Sequence, residues 1–255
     1  MKIALFSDVH ANLPALEAVL LDIDSRHPDA IYCLGDLVGY ATFPNEVVDL
    51  IRHRKIPTIA GNYDEGVGNN SSDCGCAYKT ELDRANGALS IGYTNLEIGI
   101  THREFLRNLP RHIALDFEFN GERFRLLLVH GSPRKINEYL FEDREEKSLL
   151  RIMQEAGADI LAFGHTHKPY QRVLPNPGQD SFRHAINIGS VGKPKDGDPR
   201  ACYVMLEIHP DSSMRLADSI KVEFIRVAYD IERTATAIER SPLPDIFAEM
   251  LRKAF

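Results

Sequence analysis

Seven side chains able to coordinate a metal ion stand just after short apolar runs: Asp8, His10, Asp36, Asn62, His130, His165 and His167. Each alone has an ordinary reading. A strand-end histidine is commonly a satisfied core residue, Asp8 suits a cap or turn, and Asn62 suits a turn. Together, imidazole, carboxylate and carboxamide groups form an N/O donor set of the kind that holds a metal. A single catalytic ion takes three or four protein ligands and keeps a position open. Seven candidates exceed that, whereas two four-coordinate ions need one more contact than seven residues supply. A bridging carboxylate provides it, and Asp36, central in the series, is the expected bridge. With no cysteine in the set, soft ions are disfavoured. Mn²⁺, Fe²⁺/Fe³⁺ or Zn²⁺ fit, with Mn²⁺ as the working choice. Two such cations would outweigh Asp8 and Asp36 and leave a positive pocket suited to an anionic substrate.

These residues need elements that bring them together. Apolar runs at 3–6, 30–34, 57–60, 126–129 and 160–163 read as strands, each ending at one of the polar clusters. Between the first two, Leu13, Leu16, Val19, Leu20 and Ile23 recur at helical spacing, behind an Asn12 cap and a first-turn Pro14. Pro44, Val47, Val48 and Ile51 repeat the arrangement. Strand–helix alternation of this kind predicts a largely parallel sheet, whose strand C-termini share one edge. Glycines beside the clusters, in Gly35-Asp36, Gly61-Asn62, His130-Gly131 and Gly164-His165, let the backbone turn and approach a ligand.

Residues 65–77 read as a Gly/Ser/Asn-rich loop, followed by helices near 78–92 and 101–108. This breaks the alternation, so 65–110 is expected to be an insertion covering a site. Alternation at Ile113, Leu115, Phe117 and Phe119, with later runs near 170–174, 184–188, 201–208 and 221–228, predicts a second, mixed or antiparallel sheet. Residues 230–240 and 244–254 read as amphipathic helices, and 142–147 as a solvated helix start. The apolar face of 244–254 (Ile246, Met250, Leu251) packs either internally or on a second copy in a homo-oligomer. The expectation is one α/β domain spanning 1–255, with two sheets.

Composition excludes more than it selects. The chain of 255 residues carries 30 Lys+Arg against 37 Asp+Glu, a formal charge of −7. Without a basic tract, this argues against gripping long nucleic acids or anionic membranes. The longest unbroken apolar run, 201–206, is far short of the roughly 20 residues of a membrane span. The opening MKIALFSD is not a secretory signal, which points to a cytoplasmic protein with reduced thiols. Cys74-Gly75-Cys76 is a zinc half-site lacking a second pair, or a loop with packing thiols. Neither G-x-G-x-x-G nor a P-loop occurs.

Asp8-x-His10, Gly35-Asp36, Gly61-Asn62, His130-Gly131 and Gly164-His165-x-His167, in this order, resemble the five blocks of the calcineurin-like metallophosphoesterases. The longer stretches SDVHANLPALEAVL, GDLVGY and HGSPR resemble a bacterial and archaeal subgroup of small phosphodiesterases. The resemblance implies a two-sheet αββα sandwich. It implies that Asp8, His10, Asp36 and His167 hold one divalent ion and that Asp36, Asn62, His130 and His165 hold the other. It also implies hydrolysis of small phosphate esters by hydroxide generated between the ions, with no phosphoenzyme. The sequence departs from that pattern at Tyr63, where many relatives carry a proton-donating His. A phenol is a poor acid at pH 7. His102 or a water would then donate, or the enzyme would depend on good leaving groups, as in aryl or nucleotide-like phosphodiesters. Tyr63 as a packing aromatic is the plain alternative. Arg134 is expected to clamp phosphate through its fork, or else to pair with Glu138. Ser190 either reaches the site or shapes a turn, and Asp64 either orients Asn62 and Tyr63 or starts the loop. Two other functions compete: a weakly active interaction module on the same fold, and a phosphatase using Asp8 as nucleophile. The second usually has an Asp where this chain has His10.

Overall fold

The computed structural model describes residues 1–78, 80–119 and 121–255. Two sheets face each other. In the first, β1 (Lys2–Phe6) pairs in parallel with β2 (Ala30–Cys33) and antiparallel with β8 (Ala201–Glu207), which carries β9 (Lys221–Val227) at the edge. The second has the order β3-β4-β5-β7-β6, formed by His112–Phe119, Glu122–Val129, Ile160–Phe163, Phe182–Asn187 and Tyr170–Pro175. Strands β4, β5 and β7 are parallel, with antiparallel β3 and β6 outside them.

The two-residue pleat separates the layers. Ile3 and Leu5 of β1 join Leu126 and Leu128 of β4, Ile160 and Ala162 of β5, and Val204 and Leu206 of β8 between the sheets. Their neighbours Ala4, Phe6, Tyr203 and Met205 turn outward onto helices α1 (Leu13–Ser25) and α2 (Pro44–His53). On the opposite side, Leu127, Val129, Leu161 and Phe163 pack on α6 (Glu146–Glu155). The result is an αββα sandwich. Helix α1 starts where its sequence signals place it, with Asn12 Oδ1 accepting from Ala15 N at 3.3 Å.

Strand allotment differs from the single parallel sheet read from the first two-thirds of the chain. Strands β1 and β2 lie in one sheet, and β4 and β5 in the other. The late strands are divided too, because β8 inserts beside β1 while β7 extends β4-β5. The run at 57–60 contributes only an isolated bridge, Cys33 to Thr58. Helix α3 (Asn62–Gly68) takes up the first residues read as loop. The Asp64 carboxylate accepts from Gly61 N and Leu37 N, both at 2.9 Å, and so caps the helix start. Helices α4 (Glu81–Glu97) and α5 (Ile100–Arg107) follow, with Thr80 and Asp83 forming a capping box on α4. Arg103 and Arg107 of α5 donate to Val67 O and Gly68 O, closing the C-terminal end of α3. Near the C-terminus lie α7 (Ile231–Glu239) and α8 (Ile246–Lys253). Ile246, Met250 and Leu251 pack internally in a cluster with Ala11, Ala235 and Ile238. No helix among the described residues is long and apolar enough to cross a membrane.

Candidate metal centre

The seven expected residues converge where the C-terminal ends of β1, β2, β4 and β5 meet across the sandwich, and all seven are buried. Five of them are held at positive φ: Asp8 (54°), His10 (49°), Asp36 (54°), His165 (66°) and His167 (60°). Side chains rarely adopt this region, and each instance costs on the order of 1 kcal/mol. Backbone hydrogen bonds between the turns hold it: Asp8 N donates to Gly35 O and His10 N to Asp36 O, both at 2.9 Å. From β7's following loop, Gly192 N donates to Asp8 O, as does Ser190 Oγ at 2.8 Å. Two glycines are dictated by contact. A Cβ on Gly61 would overlap the Asp36 carboxylate, and one on Gly164 would overlap that of Asp8.

Asp8, His10 and His167 form one group with mutually close ligand atoms; Asp36, His130 and His165 form a second. Asp36 Oδ2 lies between them, 3.7 Å from His10 Nε2 and 3.4 Å from His130 Nε2. Asn62 joins the second group, its Oδ1 3.2 Å from His130 Nε2.

Hydrogen bonding at the rear of each ring decides what faces the centre. His10 Nδ1 meets Val38 O at 3.1 Å, His130 Nδ1 meets Leu34 O at 2.8 Å, and His167 Nδ1 meets Lys193 O at 2.5 Å. A carbonyl only accepts, so each Nδ1 carries the proton; at His10 and His167, which burial keeps neutral, Nε2 then presents a lone pair inward. His10 Nε2 and His167 Nε2 therefore oppose lone pairs 3.2 Å apart. Asp8 Oδ1 is 3.2 Å from His167 Nε2 and has no donor among the described residues; His165 Nε2 also has no partner. Asn62 donates through Nδ2 to Cys74 O at 3.0 Å, so its carbonyl oxygen faces His130. Buried acceptors facing acceptors are costly unless a cation lies between them. The donor set therefore fits divalent ions.

Electrostatics agree. Burial would raise both carboxyls, but the neighbouring imidazoles outweigh it and hold Asp8 and Asp36 below the usual carboxylate range. Burial pushes His10 down to about 4, and His165 and His167 to about 3, keeping them neutral and able to ligate. For His130, burial is outweighed by Asp36 and Asp8, which push it up to about 10. Burial and the Asp36 charge push Asp64 up to about 7.

Other expected residues are placed differently. His102 is not brought to the cluster: it sits on α5, with Nε2 2.9 Å from Asp49 Oδ1 on α2. Arg134 borders a cavity of about 540 Å³ that reaches Asn62, yet Glu138 already engages its guanidinium. Tyr63 is buried with its ring against His10 (centroids 5.5 Å apart) and Tyr40 (4.9 Å), and its hydroxyl has no hydrogen-bond partner. Burial raises its pKa further. Cys74 and Cys76 have their sulfurs 3.3 Å apart, and Cys76 Sγ is 3.3 Å from Asn62 Nδ2.

Several neighbours of the site lay outside the sequence expectations. Tyr40 meets His10 edge-on at 4.9 Å, Tyr139 lies over His165 at 4.0 Å, and Ser7 Oγ donates to Asp8 Oδ2 at 2.5 Å. Ser7 adjoins the first block and was within reach of the motif. Tyr139 follows Gly131 by too many loop residues for spacing alone to point to it.

Fold and site together define a class: two-sheet sandwiches that carry a pair of adjacent N/O metal-ligand groups at their strand ends. Residues 1–211 match the calcineurin-like phosphoesterase superfamily domain, and the chain belongs to that superfamily. It is 34% identical to an uncharacterized protein of Methanocaldococcus jannaschii over 98% of this chain and 96% of that one. Among solved structures it resembles a metallophosphoesterase of Sphaerobacter thermophilus, at 30% identity and TM-score 0.71, covering 100% of this chain and 99% of that one. A hypothetical protein of Pyrococcus horikoshii shares the fold at 21% identity and TM-score 0.78, over 100% and 98% of the two chains.

Proposed function

We propose that this protein is a two-metal phosphodiesterase acting on small esters with good leaving groups. Asp8, His10, Asp36 and His167 hold one divalent ion, and Asp36, Asn62, His130 and His165 the other, with Mn²⁺ as the working choice. The observation that carries this reading is the set of inward lone pairs, above all the opposed His10 and His167 nitrogens at 3.2 Å. When bound, such ions supply Lewis-acid activation of phosphate and a nucleophile at neutral pH.

The chain's own residues perform the positioning. The carbonyls of Val38, Leu34 and Lys193 fix the tautomers and tilts of three ligand rings. Tyr63 N donates to Asp36 Oδ1 at 2.9 Å, leaving Oδ2 to face both groups. Asp64 holds the turn that carries Asn62. Preference for diesters follows from Tyr63, whose buried hydroxyl does not protonate an alkoxide efficiently at neutral pH. The chain is further read as one domain, with α4 and α5 inserted beside the site.

The test is hydrolysis by Mn²⁺-reconstituted protein of bis(4-nitrophenyl) phosphate against alkyl monophosphates. We expect kcat/KM to favour the aryl diester by at least about 100-fold, reflecting its low-pKa leaving group. Equal rates on the two substrates would contradict the reading.

A further inference from the structure

Beside the metal centre lies a cavity of about 750 Å³. Its wall touches both ligand groups. Tyr40 packs on His10, Tyr139 lies over His165, and Thr166 separates His165 from His167 in the chain. Three lysines line it: Lys168, Lys193 and Lys195. Lys193 is only 3% exposed, and its Nζ sits 4.7 Å above the Tyr40 ring. Among the described residues, no carboxylate lies within ion-pair distance of any of the three ammonium groups. Asp83 is the one acidic side chain among the lining residues.

Burial disfavours the charged form of Lys193, the cation–π contact recovers only part of its lost hydration, and Asp83 acts on it only from beyond ion-pair distance, so an anion in the cavity would stabilise its charge. Lys195 and Lys168 add charge of the same sign around the same space. With the scissile phosphate neutralised at the metal centre, three lysines around one space suit a separate anionic group. Lys193 Nζ and His10 both contact the Tyr40 ring, which places that group near the scissile one. The cavity also has an aromatic wall. Tyr139 and Phe141 are stacked with centroids 5.6 Å apart and planes 10° apart, and Phe141 is 45% exposed at its edge. A planar base can extend such a stack.

We propose that this cavity is a substrate subsite for nucleoside diphosphate esters: Lys193, Lys195 and Lys168 hold the phosphoryl group next to the scissile one, and the base stacks on Tyr139 and Phe141. The assignment rests on the phosphodiesterase reading above and narrows its substrate class. Lys193 has a second task, since its carbonyl positions His167. Its side chain is therefore tested alongside that of the half-buried Lys195 and the exposed Lys168.

The experiment is calorimetry on the full-length, Mn²⁺-loaded protein with three probes: α,β-methylene-ADP, AMP and methylenediphosphonate. The wild type should bind α,β-methylene-ADP at least about tenfold more tightly than either of the others, as expected for an added charge-assisted contact or an added stacked base. Lys195→Met, Lys168→Met and Lys193→Met should each narrow the advantage over AMP. Tyr139→Leu should narrow the advantage over methylenediphosphonate. Equal affinities in the wild type, or ratios unmoved by the lysine substitutions, would overturn the subsite. The same preparations are assayed on bis(4-nitrophenyl) phosphate. Hydrolysis without a diphosphate advantage overturns the subsite alone. A diphosphate advantage without hydrolysis supports the subsite and overturns the phosphodiesterase reading.

Discussion

The metal-ligand cluster and the cavity beside it carry opposite surpluses. In the cluster, acceptors face acceptors: His10 stands against His167, and Asp8 Oδ1 has no donor among the described residues. In the cavity, three lysines face one space, and among the described residues none has a carboxylate within ion-pair distance. A formal charge of −7 for the whole chain predicts neither region. The contrast shows that local imbalance, and not total charge, records what a site is built to receive. On the readings proposed above, cations would complete the first region and an anion the second.

Asp36→Asn breaks the contrast most directly, because it replaces the shared carboxylate by an amide whose NH₂ is a donor. Hydrolysis of an aryl phosphodiester should fall by at least about 1,000-fold, the scale expected when metal activation is lost. Steady-state assays with matched circular dichroism check this. Retention of rate would show that hydrolysis does not depend on the carboxylate facing both groups and would contradict the two-metal reading.

Tyr63→His sharpens the contrast, placing a titratable donor at the border where the wild type has a phenol without a hydrogen bond. General-acid assistance typically contributes about 100-fold or more when well placed. For an unrefined position we expect at least about a tenfold gain in kcat on alkyl esters, with little change on aryl esters. An equal gain on both substrate types would point instead to altered packing against His10.

Arg134→Ala and His102→Ala are the smallest expected effects. Both side chains already have partners: Arg134 has Glu138 and His102 has Asp49. Exposed pairs of this kind contribute little, and each variant should stay within about threefold of wild-type kcat/KM. A larger loss for Arg134→Ala would mean that substrate draws its guanidinium away from Glu138.

The cluster was legible in the sequence because each of its seven residues follows an apolar run, with glycines where a carboxylate needs space. Periodicity could not assign strands to sheets. The inward faces of β1, β4, β5 and β8 are equally apolar, so β8 beside β1 and β7 beside β5 emerge only from tertiary pairing. The cavity was less legible still. Lysines in a loop such as Gly192-Lys193-Pro194-Lys195 are ordinary surface residues by composition, and nothing local shows that Lys193 is buried over Tyr40. Part of the wall, including Phe247 and Met250, comes from α8, which follows the last motif by nearly eighty residues. Helix α3 was missed for a related reason. Its Gly-rich sequence is a poor helix former, and Asp64, capping Gly61, stabilises its start.

The most direct test of the central claim is metal stoichiometry. The chain is stripped with chelator, reconstituted with Mn²⁺, desalted and analysed by elemental mass spectrometry. The account predicts about two ions per chain in the wild type, the number a two-metal site requires. It predicts fewer than one in Asp36→Asn, because one carboxylate faces both groups. One ion per wild-type chain, or none, would contradict it.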